Sequence, residues 1–143
     1  MSLPTPEAGL VIPYNYLWRH EHRKGQDEGR KTRPAVIVLV VQKTEADASR
    51  VTVAPITHTP PDKMTEAIEL PPRVKQALQL DSERSWIILD EVNEFTWPGY
   101  DIRPVPGSES FSYGFIPPKL YDLVIARLLE LAVARRVTEI PRD

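Results

Sequence analysis

Arg33 and Thr57 are the residues whose types and surroundings best suit work on an anion. Arg33 stands directly before Pro34-Ala-Val-Ile-Val-Leu-Val-Val41, the strongest strand signal in the chain. A guanidinium held at the mouth of a buried strand directs several donors toward a group such as phosphate, where lysine would offer a mobile point charge. Thr57 lies just past Arg50-Val-Thr-Val-Ala54, and pairing of the two strands would bring its hydroxyl to the same sheet rim. Each residue also has a purely structural reading: a rim salt bridge for Arg33, a turn hydrogen bond for Thr57. The neighbouring His58 bears on proton transfer if its imidazole reaches the same pocket.

Other chemistries find little support. The three histidines are His20, His22 and His58, and His20-Glu21-His22 lacks the i,i+4 spacing of a zinc-binding helix. With 0 Cys there is no thiol nucleophile, thiolate metal site or disulfide. No phosphate loop, dinucleotide fingerprint or serine elbow is present, and Gly25-x-x-x-Gly29 before Arg30 and Lys31 is too sparse to cradle a phosphate. Neither a metal ion nor a cofactor is expected. The net charge of -2 excludes a global cationic field, although Arg19, Arg23, Lys24, Arg30, Lys31 and Arg33 outweigh Glu21, Asp27 and Glu28 locally. That run is either a mild basic patch or a solvated loop. No stretch approaches the ~20 apolar residues that span a bilayer, and no signal-peptide pattern opens the chain, so a cytoplasmic protein is expected.

The elements that would position these groups are short. A length of 143 residues with 41% hydrophobic content suits one compact domain, here residues 9–143 after a flexible 1–8. The 15 prolines argue against a long helical bundle. Strands are expected over Gly9–Ile12, Pro34–Val41, Arg50–Ala54, Met64–Leu70, Ser85–Asp90 and around Asp101–Arg103. Arg73–Leu80 reads as a brief helix. Pro118 to about Arg136 reads as a long amphipathic one, with Leu120, Val124, Leu128 and Leu131 recurring every three or four residues. Tyr14–Lys31 is an excursion that packs its aromatics and exposes its charges. The pattern predicts a mainly β, α+β domain, a small barrel with a C-terminal helix on its outside.

The segments Gly29-Arg-Lys-Thr-Arg-Pro-Ala-Val-Ile-Val38 and Val51-Thr-Val-Ala-Pro-Ile-Thr57 resemble the two signature regions of the PemK/MazF-type toxins of bacterial toxin-antitoxin systems. The likeness continues through Ile68-Glu-Leu70 and Asp81-Ser-Glu-Arg-Ser-Trp-Ile-Ile-Leu89, covering about Gly9 to Pro104. The resemblance implies an SH3-like barrel that forms a homodimer and cleaves single-stranded RNA without metal, leaving 2′,3′-cyclic phosphate and 5′-hydroxyl ends. It places Arg33 and Thr57 in the catalytic centre. It also implies a cognate antitoxin and no DNA binding by this chain alone. Arg30, Lys31, His58, Trp18 and Trp97 are the candidates for contacting RNA or the antitoxin, since aromatic anchors serve both kinds of interface. The alternative for Trp18 and Trp97 is that they cap the barrel.

Three departures mark this chain, the first being Gly9-Leu10 where family members commonly place Gly-Asp at the first strand. The Tyr14–Lys31 excursion is inserted before the first signature. Glu91-Val-Asn-Glu94 stands where many members carry a Gln-hydrophobic-Arg-Thr segment, which predicts weaker attraction for phosphate. The alternative to a nuclease is therefore a non-catalytic RNA-binding or protein-interaction module of the same fold.

Overall fold

The structure, a computed structural model, describes residues 3–26, 31–43 and 48–143. The elements run β1 (Leu10–Tyr14), α1 (Arg19–Arg23), β2 (Arg33–Lys43), β3 (Ala48–Thr57), β4 (Ala67–Glu69), α2 (Pro72–Ala77), β5 (Trp86–Ile88), β6 (Glu91–Thr96), β7 (Gly114–Phe115), α3 (Pro118–Val133) and β8 (Thr138–Pro141). The main path of the sheet is β4-β5-β3-β2-β1-β7, antiparallel throughout, with β6 and β8 branching from β3. This half-barrel with a helix near the C-terminus is the mainly β, α+β architecture expected. No helix among the described residues is long and apolar enough to cross a membrane.

The β-branched run of β2 is buried because both of its faces meet a core. Val36 and Val38 face Leu120, Val124 and Leu131 of α3, while Ala35 and Ile37 face Tyr14, Tyr16 and Phe95. A register shift between Ile37 and Leu39 then reverses the alternation. Val40 thereby packs toward the aromatic cluster, and Leu39 and Val41 are each left 50% exposed, where the sequence reads as continuously buried.

The second long strand, β3, changes partner along one edge. Arg50–Val53 pair with β6, whereas Ile56 and Thr57 pair with β5. Ala54 and Pro55 lie at the handover, a tolerable place for a residue without an N–H. Both α2 and α3 are entered through Pro-Pro, with proline at the first helical positions. Both also close with a left-handed residue that is not glycine, Gln79 and Arg135, each with φ 57°. After α3, Arg136 donates to the Leu131 carbonyl at 2.8 Å and Arg135 to Ala132 at 3.0 Å, the paired bonds of a Schellman cap.

The expected Asp101–Arg103 strand is reduced to one bridge, Ile102 with Tyr14, since Pro104 and Pro106 remove the donors a ladder needs. Met64–Leu70 opens with a 3-10 turn at Met64–Glu66 before β4. The α3 helix stops three residues short of Arg136, and the chain then returns as β8, parallel to β6. Arg142, beyond β8, donates to the Asn15 carbonyl at 2.8 Å and to Asn93 Oδ1 at 3.2 Å, and pairs with Asp101 at 3.1 Å.

Candidate functional site

Arg33 opens β2 and Thr57 closes β3. The Ala35–Pro55 register, continued by two residues, sets them opposite each other at one rim of the sheet. Both line a cleft of about 440 Å³ together with Trp18, His20, Lys31 and His58. A second cleft of about 380 Å³ begins on the other side of the same rim and shares Lys31, Arg33, Thr57 and His58. The two residues singled out from the sequence thus stand on a ridge that both depressions reach.

The excursion supplies the wall beside Arg33. Tyr16 and Leu17 are buried, and α1 follows Trp18 directly. Glu21 reaches back so that its Oε1 accepts the Trp18 N–H at 3.0 Å. The guanidinium of Arg33 lies over the Trp18 ring, 4.9 Å from its centroid. Its Nε is buried and finds no hydrogen-bond partner. Burial draws the Arg33 group below the ordinary arginine value, with the Glu21 charge acting in the opposite sense. Such a cation is well placed to take up an incoming anion, because its remaining donors are not consumed in an ion pair with any described residue.

The residues that depart from the toxin pattern turn out to hold this wall. Glu91 and Asn93 are 4% and 0% exposed. Glu91 Oε1 accepts the Tyr16 hydroxyl at 3.1 Å and the Arg19 N–H at 2.9 Å. Asn93 accepts the Leu17 N–H and donates to the Leu17 carbonyl, both at 2.9 Å. Arg19 also pairs with Asp90 at 3.1 Å, and Arg136 with Glu66 at 3.1 Å, so carboxylates around the cleft are offset by arginines. Burial pushes the Glu91 carboxyl up, against the pull of the Arg19 backbone and charge. Glu94 points elsewhere, toward Arg50 at 3.9 Å.

Thr57 is buried and its Oγ1 accepts the Thr59 N–H at 3.2 Å, which leaves the hydroxyl proton to donate. Beside it, His58 Nε2 is 2.7 Å from Asp81 Oδ2, and Nδ1 is 3.6 Å from Glu83 Oε2. Asp81 is in turn bound by Lys75 Nζ at 2.6 Å and by the Glu83 N–H at 3.1 Å. Lys75 is buried on α2 and also donates to Ser85 Oγ at 2.8 Å and to the Glu83 carbonyl. Partial burial alone would raise the Asp81 carboxyl; the bonds from Lys75, Glu83 and His58 outweigh it and hold the group below the usual range. His58, Asp81 and Glu83 are also the one group of metal-ligand type among the described residues, with donor atoms within 4.8 Å of one another and all three exposed.

The remaining candidates divide. Trp18, Lys31 and His58 line the cleft with Arg33 and Thr57. Arg30 lies outside the described residues. Trp97 lines neither cleft; it stacks on Phe95 at 6.1 Å, beside a cis peptide bond to Pro98. Tyr14, Tyr16 and Phe95 are core residues. Asp81 and Lys75 were not singled out from the sequence, where only the adjacency of His58 to Thr57 pointed toward them.

No curated protein and no solved structure matches this chain. A family model described as the PemK-like, MazF-like toxin of type II toxin-antitoxin systems matches residues 16–96, a span that holds Arg33, Thr57, His58 and the Trp18 wall. With more than half of its length matched, including both strands that meet at the rim, the chain belongs to the PemK-like, MazF-like toxin family.

Proposed function

We propose that this toxin is an endoribonuclease that cleaves single-stranded RNA without a metal ion, leaving 2′,3′-cyclic phosphate and 5′-hydroxyl ends. The observation that carries the reading is the meeting of Arg33 and Thr57 in one cleft within the family span. Arg33 meets the charge that develops on the phosphorane, and Thr57 donates to a phosphoryl oxygen. Lys31, from the rim, adds attraction for the RNA backbone, and Trp18 both borders the cleft and supports Arg33. The active form in this reading is a cytoplasmic homodimer whose cleft is covered by an antitoxin segment until needed.

The test is incubation of the purified, antitoxin-free protein with mixed-sequence single-stranded RNA in EDTA, followed by identification of the product ends. Cyclic phosphate and 5′-hydroxyl ends, lost in folded Arg33→Ala and Thr57→Ala variants, are expected. RNA that is bound but left intact would move the assignment to the non-catalytic RNA-binding module. Absence of RNA binding as well would leave a protein-interaction module.

A further inference from the structure

Transesterification of RNA needs a group that takes the proton of the ribose 2′-hydroxyl. Arg33 stays protonated under ordinary conditions and Thr57 is not basic, so neither supplies it. Of the carboxylates in the same cleft, Asp90 and Glu91 are engaged by Arg19 and Glu66 by Arg136, while Asp62 and His20, the latter stacked on Trp18, line the first cleft but not the second. His58 differs from these, since it lines both clefts and is oriented from behind.

Resting on the endoribonuclease reading, we propose that His58 is the general base of this site and that Asp81 is its positioning residue. With Nε2–H donating to Asp81 Oδ2 at 2.7 Å, the neutral ring carries its lone pair on Nδ1. Glu83 Oε2 lies 3.6 Å from Nδ1 and, as a carboxylate with no proton to donate, leaves that lone pair free. Asp81 is fixed through its other oxygen by Lys75, whose ammonium is buried and tied to Ser85. The support therefore runs from α2 through Lys75 and Asp81 to an exposed imidazole, the logic by which a carboxylate holds a catalytic histidine in one tautomer. Asp81 and Glu83, from the loop after α2, face the ring directly with Lys75 behind Asp81; Arg33 and Lys31 share both clefts with it, and His20, Asp62, Glu66, Asp90 and Glu91 line the first.

In the step itself, the 2′-oxygen bonds to phosphorus as its proton passes to His58 Nδ1. The bond from phosphorus to the 5′-oxygen breaks, and that oxygen takes a proton from water in the open cleft. The imidazolium then returns its proton to solvent, so that no charge or atom is left over.

The experiment compares initial rates of RNA cleavage in EDTA for the full chain and for His58→Ala, Asp81→Asn and Arg33→Ala, over about pH 5 to 9. We expect His58→Ala to lose about 10²-fold or more in kcat with little change in KM, to lose the acid limb of the pH profile, and to regain rate on addition of free imidazole. Asp81→Asn should fall less and keep a shifted acid limb. His58 is exposed, so its removal leaves the core intact, and circular dichroism of each variant checks folding. A His58→Ala enzyme with the wild-type rate and acid limb, beside an inactive Arg33→Ala, overturns the assignment of the base alone. A wild-type protein that leaves RNA uncut overturns the nuclease reading and this inference with it. Cleavage abolished by EDTA and restored by a divalent metal would show the cluster to be a ligand set instead.

Discussion

The guanidinium of Arg33 rests on the indole of Trp18, 4.9 Å from the ring centroid, and has no ion pair to any described residue. An inserted segment thereby orients the arginine while its charge stays available for an anion. Removing the indole should loosen that orientation more than it weakens RNA affinity. Trp18→Ala is expected to lower kcat for RNA cleavage about tenfold, in keeping with a partly desolvated cation-π contact of about 1–2 kcal/mol. Trp18→Phe should retain most of the rate. Equal losses in the two variants, or a loss confined to KM, would count against the positioning role.

Asn93 should be a stability residue rather than an RNA-contacting one. Its side chain satisfies both backbone groups of Leu17 inside the protein. Asn93→Ala leaves them unpaired and is expected to cost about 2–3 kcal/mol in urea unfolding. An unchanged midpoint would mean that Leu17 finds other partners.

The cap of α3 offers a gain. Arg135 adopts φ 57°, a left-handed conformation that glycine takes without steric cost. Arg135→Gly is expected to raise stability by about 0.5–1 kcal/mol, read as a higher melting temperature. A lower melting temperature would show that the arginine side chain contributes more than its backbone costs.

The pairing of β6 with β8 should carry a pH signature. Burial raises the Glu94 carboxyl, reinforced by its hydrogen bond and charge interaction with Glu139 and opposed by Arg50. The folded protein then holds this proton more tightly than the unfolded chain does. The associated stability is present below the ordinary glutamate range and is lost as pH rises through the raised value. Glu94→Gln should melt above the wild type near neutrality, and the gap should close toward about pH 4. A gap that is constant with pH would exclude Glu94 as its source.

Much of the site was legible because it lies at the ends of two strongly patterned strands. Once Pro34–Val41 and Arg50–Ala54 are paired, Arg33 and Thr57 meet by register, and the structure extends that same ladder. The half-barrel and α3 followed from alternation giving way to helical spacing. What escaped notice depends on polar groups facing inward. The β6 strand carries Glu91 and Asn93 into the interior, so its pattern does not read as buried, and their acidic and amide character suggests an RNA-repelling surface instead of an internal brace. The five residues of α1 are too few and too polar to show a period. The support of His58 is also hidden, because a buried lysine on α2 reveals its partners only in three dimensions. Both β7 and β8 are short, and β8 ends in a proline.

The position of Arg142 gives the site an order of assembly. Its guanidinium bonds the Asn15 carbonyl, Asn93 and Asp101, fastening the start of the strap that carries Trp18 to β6 and to the loop after it. The strap precedes β2 in the chain, whereas Arg142 follows β8, 127 residues after Asn15. A nascent chain can therefore pair β2 with β3, and so bring Arg33 and Thr57 together, well before the strap is clamped. The clamp on the strap whose indole lies beneath the arginine is thus completed by the segment that follows β8.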